Sequence, residues 1–440
     1  MMGEYALPLA MLAVMLGGIL IGYPVAFSLG GSAALFLLFS DLPASFVNLL
    51  ASRIYANALA NWLLVCIPMF VFMGLVLERT GTAVRALTTL QAALGRVPGG
   101  LAIAVLIVGT LLAAASGIVG ASVVLLGTLA VPQMRAAGYS RPLSAGIVCG
   151  SGTLAILIPP SIMLVLFSDL LDVSVGDLFA GALVPGLVLA GGYAVLVAVW
   201  ALIDPRAAPR SAGGGVSAVA MLRDTVPLAG LIACVLGSIL LGYATPTEAS
   251  ALGAVGSLVI AAATGTLSLR LLGETTLQTA YTTAMVMLVT VGATCFSAVF
   301  RGVGGEDMIL DGLGALQLGP WGTLGLLMAV IFALGCFLDW LEISLITLPI
   351  FGVVIGGLDF GFGLSQQQTL LWFAVLVAIN LQTSFLTPPF GFSLFYLRAV
   401  TRDILSNRDI YLGIIPFIAM QILVLGLFMA FPGLIVWPVK

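Results

Sequence analysis

Long apolar runs constrain this chain more than any other feature of its sequence. Hydrophobic residues make up 61% of the 440 positions, and charged residues only 8%, whereas about 25% of the residues in a typical soluble domain are charged. Such a chain cannot cover a surface that faces water, but it can cover one that faces lipid. Because unpaired backbone groups are costly in lipid, we expect an all-α polytopic membrane protein.

The residue types that are rare or absent exclude several functions. The sequence has no histidine, so zinc sites, general bases and proton relays built on histidine are excluded. The five cysteines lie in apolar stretches without a CxxC pair, which indicates core residues. Since no basic cluster suggests nucleic-acid binding, we expect no nucleic-acid partner, no transition metal, no organic cofactor and no enzymatic activity.

The apolar runs divide into two kinds by length. A spanning helix needs about 20 apolar residues. Single spans are predicted at 5–22, 24–40, 60–78, 178–202, 226–243, 247–265, 278–300 and 411–437. Longer or acid-containing stretches lie at 99–132, 142–168, 320–356 and 368–397.

Arginine and lysine mark the cytoplasmic side of a membrane protein. Arg96 precedes the 99–132 stretch and Arg135 follows it, so this stretch enters and leaves the membrane on one side, as a re-entrant hairpin that turns at Ser116–Gly117. By the same alternation, 320–356 forms a second hairpin, which opens outward. Twelve of the 15 basic residues then lie inside, and both termini are predicted to be periplasmic.

Two motifs occur twice, in the same order. The segment GGILIGYPVAFSLGG (Gly17–Gly31) resembles GSILLGYATPTEASALG (Gly237–Gly253), and GSGTLAILIPPSIMLVLFS (Gly150–Ser168) resembles NLQTSFLTPPFGFSLFYLR (Asn380–Arg398). The predicted topology gives the two copies opposite directions across the membrane. This is an inverted-topology repeat, the usual build of secondary transporters.

Paired prolines are predicted to end an unwound segment in each half of the repeat: GSGTLAILIPPS, which contains Pro159–Pro160, and NLQTSFLTPP, which ends at Pro388–Pro389. An unwound helix in the membrane leaves backbone carbonyls that a dehydrated cation can bind. Sodium prefers oxygen ligands, which carbonyl, Ser, Thr and Asn groups supply. Helix N-termini at the same place favour an anionic substrate.

These arguments select candidate residues at two mirror-related places. The first set of sodium-site candidates is Ser116, Gly117, Gly150, Ser151, Gly152 and Thr153. The second set is Gly335, Asp339, Asn380, Thr383, Ser384 and Thr387. The candidate substrate contacts are Ser116, Thr153, Asp339 and Thr383.

Other interpretations of these residues remain open. Small residues also allow close helix packing, and Asp339 and Glu342 could simply be solvated if the turn faces an aqueous cavity. Intramembrane acids are nevertheless functional by default, because they are costly to bury. We interpret Glu248 as structural, since a carboxylate in the first turn of a helix suits the helix dipole.

Together these motifs resemble the large permease subunit of tripartite ATP-independent periplasmic (TRAP) transporters, the DctM family. The matching pieces include ASGIVGASV, GSGTLAILIPPS, GYATPTEASALGAVG, CFLDWLEISLITLPI and NLQTSFLTPPFGFSLFYLR, spread from about residue 17 to 400. The FLDW hairpin is similar to the mannitol/chloroaromatic or α-keto acid branch.

The resemblance implies a sodium-coupled elevator-type importer of a small organic acid in the bacterial inner membrane. Its expected partners are a separate small four-helix (Q-type) subunit and a periplasmic substrate-binding (P-type) protein. The expected divisions are 1–98 (scaffold), 99–177 (transport domain, half 1), 178–319 (scaffold and connecting helices), 320–400 (transport domain, half 2) and 401–440 (C-terminal helix).

Three other functions compete with that of an importer subunit. A stand-alone sodium/anion symporter of the wider ion-transporter superfamily would share the hairpins and inverted repeats, but would work without a binding protein. An intramembrane enzyme lacks support, because the sequence shows neither histidine nor an acid pair with a nucleophile. A non-transporting scaffold gains nothing from exposing backbone within the membrane.

Overall fold

The computed structural model describes residues 5–210, 218–388 and 391–438, and every regular element in these ranges is a helix. The first half of the chain contains α1 (Ala6–Ile21), α2 (Val25–Phe39), α3 (Ser45–Ile54), α4 (Cys66–Arg79), α5 (Thr82–Leu94), α6 (Gly100–Ser116), α7 (Val119–Ala136), α8 (Arg141–Thr153), α9 (Ile162–Leu171) and α10 (Val175–Ile203). A π-helical turn (Tyr55–Leu59) and 3-10 turns (Trp62–Val65, Leu154–Ile156) complete this half.

The second half follows a similar order. It contains α11 (Ala218–Leu240), α12 (Pro246–Ala263), α13 (Leu269–Gly302), α14 (Gly305–Leu316), α15 (Gly319–Gly335), α16 (Trp340–Gly356), α17 (Gln366–Leu386), α18 (Phe392–Val400), α19 (Asn407–Ala430) and α20 (Gly433–Val436).

Within the described residues, eight helices are long and apolar enough to cross a membrane. Helix α12 shows how they are built. Leu252, Val255 and Val259 are more than half exposed along one face. The opposite face carries small buried residues such as Gly253, which lies against Met73 of α4. Large apolar residues outside and small residues inside are the pattern of a lipid-facing helix.

Ser and Thr residues fix where many of these helices begin. The side chains of Ser140, Ser174, Thr245, Ser365 and Ser406 each accept a hydrogen bond from a backbone N–H in the first turn that follows. These caps satisfy donors that a helix start leaves unpaired. At Thr245, Glu248 completes a reciprocal capping box, which confirms that Glu248 has a structural role.

Helix packing repeats between the two halves. Helix α1 packs on α2 as α11 packs on α12, and α2 packs on α13 as α12 packs on α4. The short helices α3, α5 and α14 were not predicted from the sequence, because they are too short and too polar to be identified as spans. Helix α13 also begins earlier than the predicted 278–300 span.

Two helical hairpins and two broken helices form a connected group. The first hairpin, α6–α7, packs against α8, and the second, α15–α16, packs against α17. In addition, α7 contacts α18 and α16 contacts α9. Each hairpin therefore contacts the first part of its own broken helix and the second part of the other one.

Candidate functional site

The first hairpin turns at Gly117, where the sequence analysis placed its tip. Gly117 has φ +61°, a conformation that favours glycine. A Cβ at this position would also lie 3.3 Å from the backbone nitrogen of Ile162. Next to it, the hydroxyls of Ser116 and Ser122 share a hydrogen bond of 2.9 Å. The turn is therefore neutral and lies directly against the start of α9.

The first broken helix unwinds between α8 and α9. After the 3-10 turn at Leu154–Ile156, the chain bends through Pro159 and Pro160 and resumes as a helix at Ile162. Every residue from 150 to 168 is buried. Ser161 Oγ donates to the carbonyl of Ile156 at 2.9 Å. Unwound backbone at membrane depth is tolerated where it is enclosed by protein in this way.

The position of this break corrects one expectation. Gly150, Ser151, Gly152 and Thr153 were expected in the unwound part, but they are the last turn of α8. A proline removes the hydrogen bond to the carbonyl four residues before it, so Pro159 affects the carbonyl of residue 155 and leaves the preceding turns intact. The bond from Ile158 N to the Leu154 carbonyl is still present at 2.9 Å.

Polar and small groups in this last turn of α8 have local partners. The Ser151 hydroxyl donates to the Ile147 carbonyl at 2.6 Å, and the Thr153 hydroxyl to the Gly150 carbonyl at 2.9 Å. Gly150 lies against Phe417 of α19, and Gly152 against Val123 of α7. The two glycines therefore serve close helix packing, which the sequence analysis had left open.

The second hairpin turns over residues 336–339 and carries two acidic side chains, Asp339 and Glu342. Asp339 caps α16, because its Oδ1 accepts from the Trp340 N–H at 2.8 Å. Glu342 accepts from the Asp339 N–H at 3.1 Å, which completes a capping box. Both side chains are partly buried. The spacing of three residues brings both carboxyl groups to the N-terminus of α16, where the helix dipole favours a negative charge.

The second broken helix also unwinds later than expected. Asn380, Thr383 and Ser384 lie inside α17, which continues to Leu386. Thr387 is half-buried and Pro388 is exposed at the break. Pro388 removes only the bond to the Ser384 carbonyl, so the turns before it remain helical. Pro389, the other predicted break residue, lies outside the described residues.

Helix α17 contacts the second hairpin through the candidate residues. The Asn380 side chain donates to the Met328 carbonyl of α15 at 2.8 Å. Gly335 lies so close to α17 that a Cβ there would be 2.2 Å from Ser384 Oγ. The hydroxyls of Thr383 and Thr387 donate to carbonyls one turn earlier in the chain. The second set of candidates is thus partly brought together, around Gly335 and Ser384.

The structure joins the two halves through residues that the sequence analysis did not select. Cys149 of α8 and Ser393 of α18 lie side by side, with Ser393 Oγ 3.5 Å from the Cys149 carbonyl. Tyr396, one turn further along α18, covers Gly120 of the first hairpin. These contacts place α18 next to the first hairpin.

Three buried polar side chains stand out near these helices. Gln382, Gln421 and Tyr193 are fully buried, and the side-chain amide of Gln382 has no hydrogen-bond partner among the described residues. Tyr193 of α10 lies beside Gln421 and Thr153. Gln421 was missed, although a glutamine inside the apolar stretch of α19 was a signal for a functional position.

The donor atoms around both breaks are almost all oxygens. Within the described ranges, no group of three or more His, Cys, Asp or Glu residues could hold a metal ion. Hydroxyl and carbonyl oxygens, with the carboxyl groups of Asp339 and Glu342, suit a hard cation rather than a soft transition metal. At the starts of α7, α9 and α18 the described residues provide no side-chain cap, whereas α16 is capped by two carboxylates.

The sequence matches the family model described as "Tripartite ATP-independent periplasmic transporter, DctM component" over residues 11–434. The chain belongs to the DctM family. The C4-dicarboxylate TRAP transporter large permease protein DctM of Pseudomonas aeruginosa is 33% identical over 377 residues, which cover 85% of each chain. The ectoine TRAP transporter large permease protein TeaC of Halomonas elongata is 27% identical and aligns over 96% of each chain.

A solved structure has a similar fold. The Alcanivorax borkumensis YdaH transporter matches 90% of each chain with a TM-score of 0.58 and 15% sequence identity. This DctM protein is therefore a multi-pass membrane component of a TRAP transporter, and the all-helical fold and the family resemblance predicted from the sequence are confirmed.

Proposed function

We propose that this DctM protein is the sodium-coupled large permease subunit of an importer for a small organic acid. The observation that carries the proposal is the buried break at residues 157–161, which lies against the turn of the first hairpin. Unwound carbonyls there can bind a dehydrated sodium ion. The candidate residues at both breaks offer oxygen donors, which suits that ion.

The proposed mechanism is an elevator movement. The transport part, residues 99–177 and 320–400, slides against the scaffold, residues 1–98 and 178–319, and carries the substrate with it. Helices α7, α9 and α18 have N-termini without side-chain caps, and their dipoles favour an anionic group. The names of relatives that carry C4-dicarboxylates and ectoine support a small organic substrate.

The proposed partners are a small four-helix membrane subunit and a periplasmic binding protein. The isethionate TRAP transporter permease protein DctMQ of Oleidesulfovibrio alaskensis supports the first partner, because this chain aligns to 62% of that longer protein at 28% identity. The proposed location is the inner membrane, with both termini in the periplasm.

Reconstitution in proteoliposomes tests the proposal. The full chain is inserted with its cognate small subunit, and the cognate binding protein is added with its own ligand, identified by mass spectrometry and radiolabelled. Uptake is expected with external sodium and is expected to fall to background when potassium replaces it. Equal uptake in the two salts would overturn sodium coupling. Uptake that continues without the binding protein would favour a stand-alone symporter instead.

A further inference from the structure

A cavity of about 220 Å³ lies where the proposed scaffold meets the proposed transport part. Helix α13 forms one wall with Thr294, Ser297 and Arg301, and Arg53 at the end of α3 also lines it. The opposite wall comes from Asp169 of α9 and from α16. We call this space the boundary cavity.

Arg53 is the unusual group in the boundary cavity. It is half-buried, and it forms neither an ion pair nor a hydrogen bond with any of the described residues. Arg301 pairs with Glu306 at 2.9 Å. Asp169 accepts a hydrogen bond from the neutral amide of Asn61 at 2.7 Å and so keeps its own charge, but it forms no ion pair with Arg53. A partly desolvated guanidinium without a direct ion-pair partner favours an anion from solution.

Hydroxyl groups face the same space. Ser297 and Thr294 lie one and two helical turns before Arg301, so all three share a face of α13. Both hydroxyls are partly exposed and can donate to an oxyanion. The boundary cavity therefore combines a guanidinium without an ion-pair partner, neutral donors and room for a small molecule, with one carboxylate, that of Asp169, on the opposite wall.

We propose that the boundary cavity is an anion site, in which Arg53 holds a carboxylate of the substrate between scaffold and transport part. This inference rests on the proposed function for the identity of the anion. Movement of the transport part would carry Asp169 and α16 away from Arg53. That movement separates the substrate from its scaffold contact, so the site acts before the substrate is carried across.

A cysteine reporter tests the charge of the boundary cavity without knowledge of the substrate. Ser297→Cys is made in the full chain, with Cys234→Ala and Cys295→Ala to remove the exposed and half-buried native thiols. In membrane vesicles, the reaction rate is measured with an anionic sulfonatoethyl methanethiosulfonate and with its cationic trimethylammonium analogue. Thr294→Cys serves as a second reporter if the first variant does not fold.

The anionic reagent is expected to react faster. Arg53→Gln is expected to lower the ratio of anionic to cationic rates at least about fivefold, because one nearby charge acts on the two reagents with opposite sign. Arg53→Lys should keep the ratio, and Arg206→Gln, at an exposed position that does not line the boundary cavity, should leave it unchanged. An unchanged ratio in Arg53→Gln overturns the proposal.

Uptake by the same variants separates this inference from the proposed function. If the unmodified chain shows sodium-dependent uptake and Arg53→Gln changes neither uptake nor the rate ratio, the anion site is wrong and the transporter function stands. If the unmodified chain shows no such uptake but the ratio falls in Arg53→Gln, the anion site is supported and the proposed function is overturned.

Discussion

At the first hairpin the turn is made by Ser116 and Gly117, which are neutral, whereas the turn of the second hairpin ends with the acid Asp339, which forms a capping box with Glu342 in the first turn of α16. The breaks also differ. Residues 157–161 are buried, while Pro388 is exposed. The repeated order of helices therefore gives both halves a similar backbone plan, and the side chains of each half decide its chemistry. The two proposed sodium sites are expected to respond differently to mutation.

The largest effect is expected from removing the charge at the second hairpin. Asp339→Asn keeps a good N-cap but removes a carboxylate. Hydrogen bonds to ionised groups are roughly twice as strong as hydrogen bonds between neutral groups. We expect the sodium concentration for half-maximal uptake to rise at least about tenfold, with little change in the melting temperature. Glu248→Gln, in the matching capping box of α12, is the control and should not change the sodium dependence. Unaltered sodium dependence in Asp339→Asn would show that Asp339 is only a cap.

A packing change at the second hairpin is expected to come next. Gly335→Ala places a Cβ 2.2 Å from Ser384 Oγ, and such overpacking typically costs about 1–3 kcal/mol. The melting temperature in detergent should fall, and Ser384→Gly should restore part of the loss. Gly325→Ala, on the same helix but in open space, is the matched control. Equal melting temperatures for the two alanine variants would contradict the close contact.

The corresponding glycine of the first hairpin is expected to act through its backbone. Gly117→Ala forces a side chain into the left-handed region, which costs about 1–2 kcal/mol. The melting temperature should fall, with no rescue from shortening Ile162 to alanine, because the strain is in the backbone and not only in the contact. Full rescue by Ile162→Ala would mean that packing alone requires this glycine.

The smallest effect is expected at the neutral turn itself. Ser116→Ala removes the hydrogen bond between the hydroxyls of Ser116 and Ser122, and such a bond contributes about 0.5–1.5 kcal/mol to the free energy of unfolding. The sodium concentration for half-maximal uptake should rise less than in Asp339→Asn. Ser122→Ala is the comparison, since it removes the same pair from the other side. A larger effect in Ser116→Ala than in Asp339→Asn would reverse the proposed ranking of the two sites.

The sequence located the turns and breaks because local chemistry decides them. Gly117 permits a left-handed turn, an acid at position 339 suits a helix start, and paired prolines stop a helix. The predicted ends of α8 and α17 were too early, because the polar residues in Gly150–Thr153 and Asn380–Ser384 were interpreted as unwound backbone. Their hydroxyls instead bond to carbonyls of the preceding turn and leave the helix intact.

The chain's apolar composition and its repeated motifs by themselves determined a helical membrane protein with two similar halves, since lipid demands that each backbone group be satisfied within a helix. Which residues meet was decided only by the tertiary structure. Several contacts join segments that lie far apart in the chain. Gly335 meets Ser384, Cys149 meets Ser393, and Arg53 lines the boundary cavity together with residues of α9, α13 and α16. Local patterns carry no information about such distances, because they arise when helices pack.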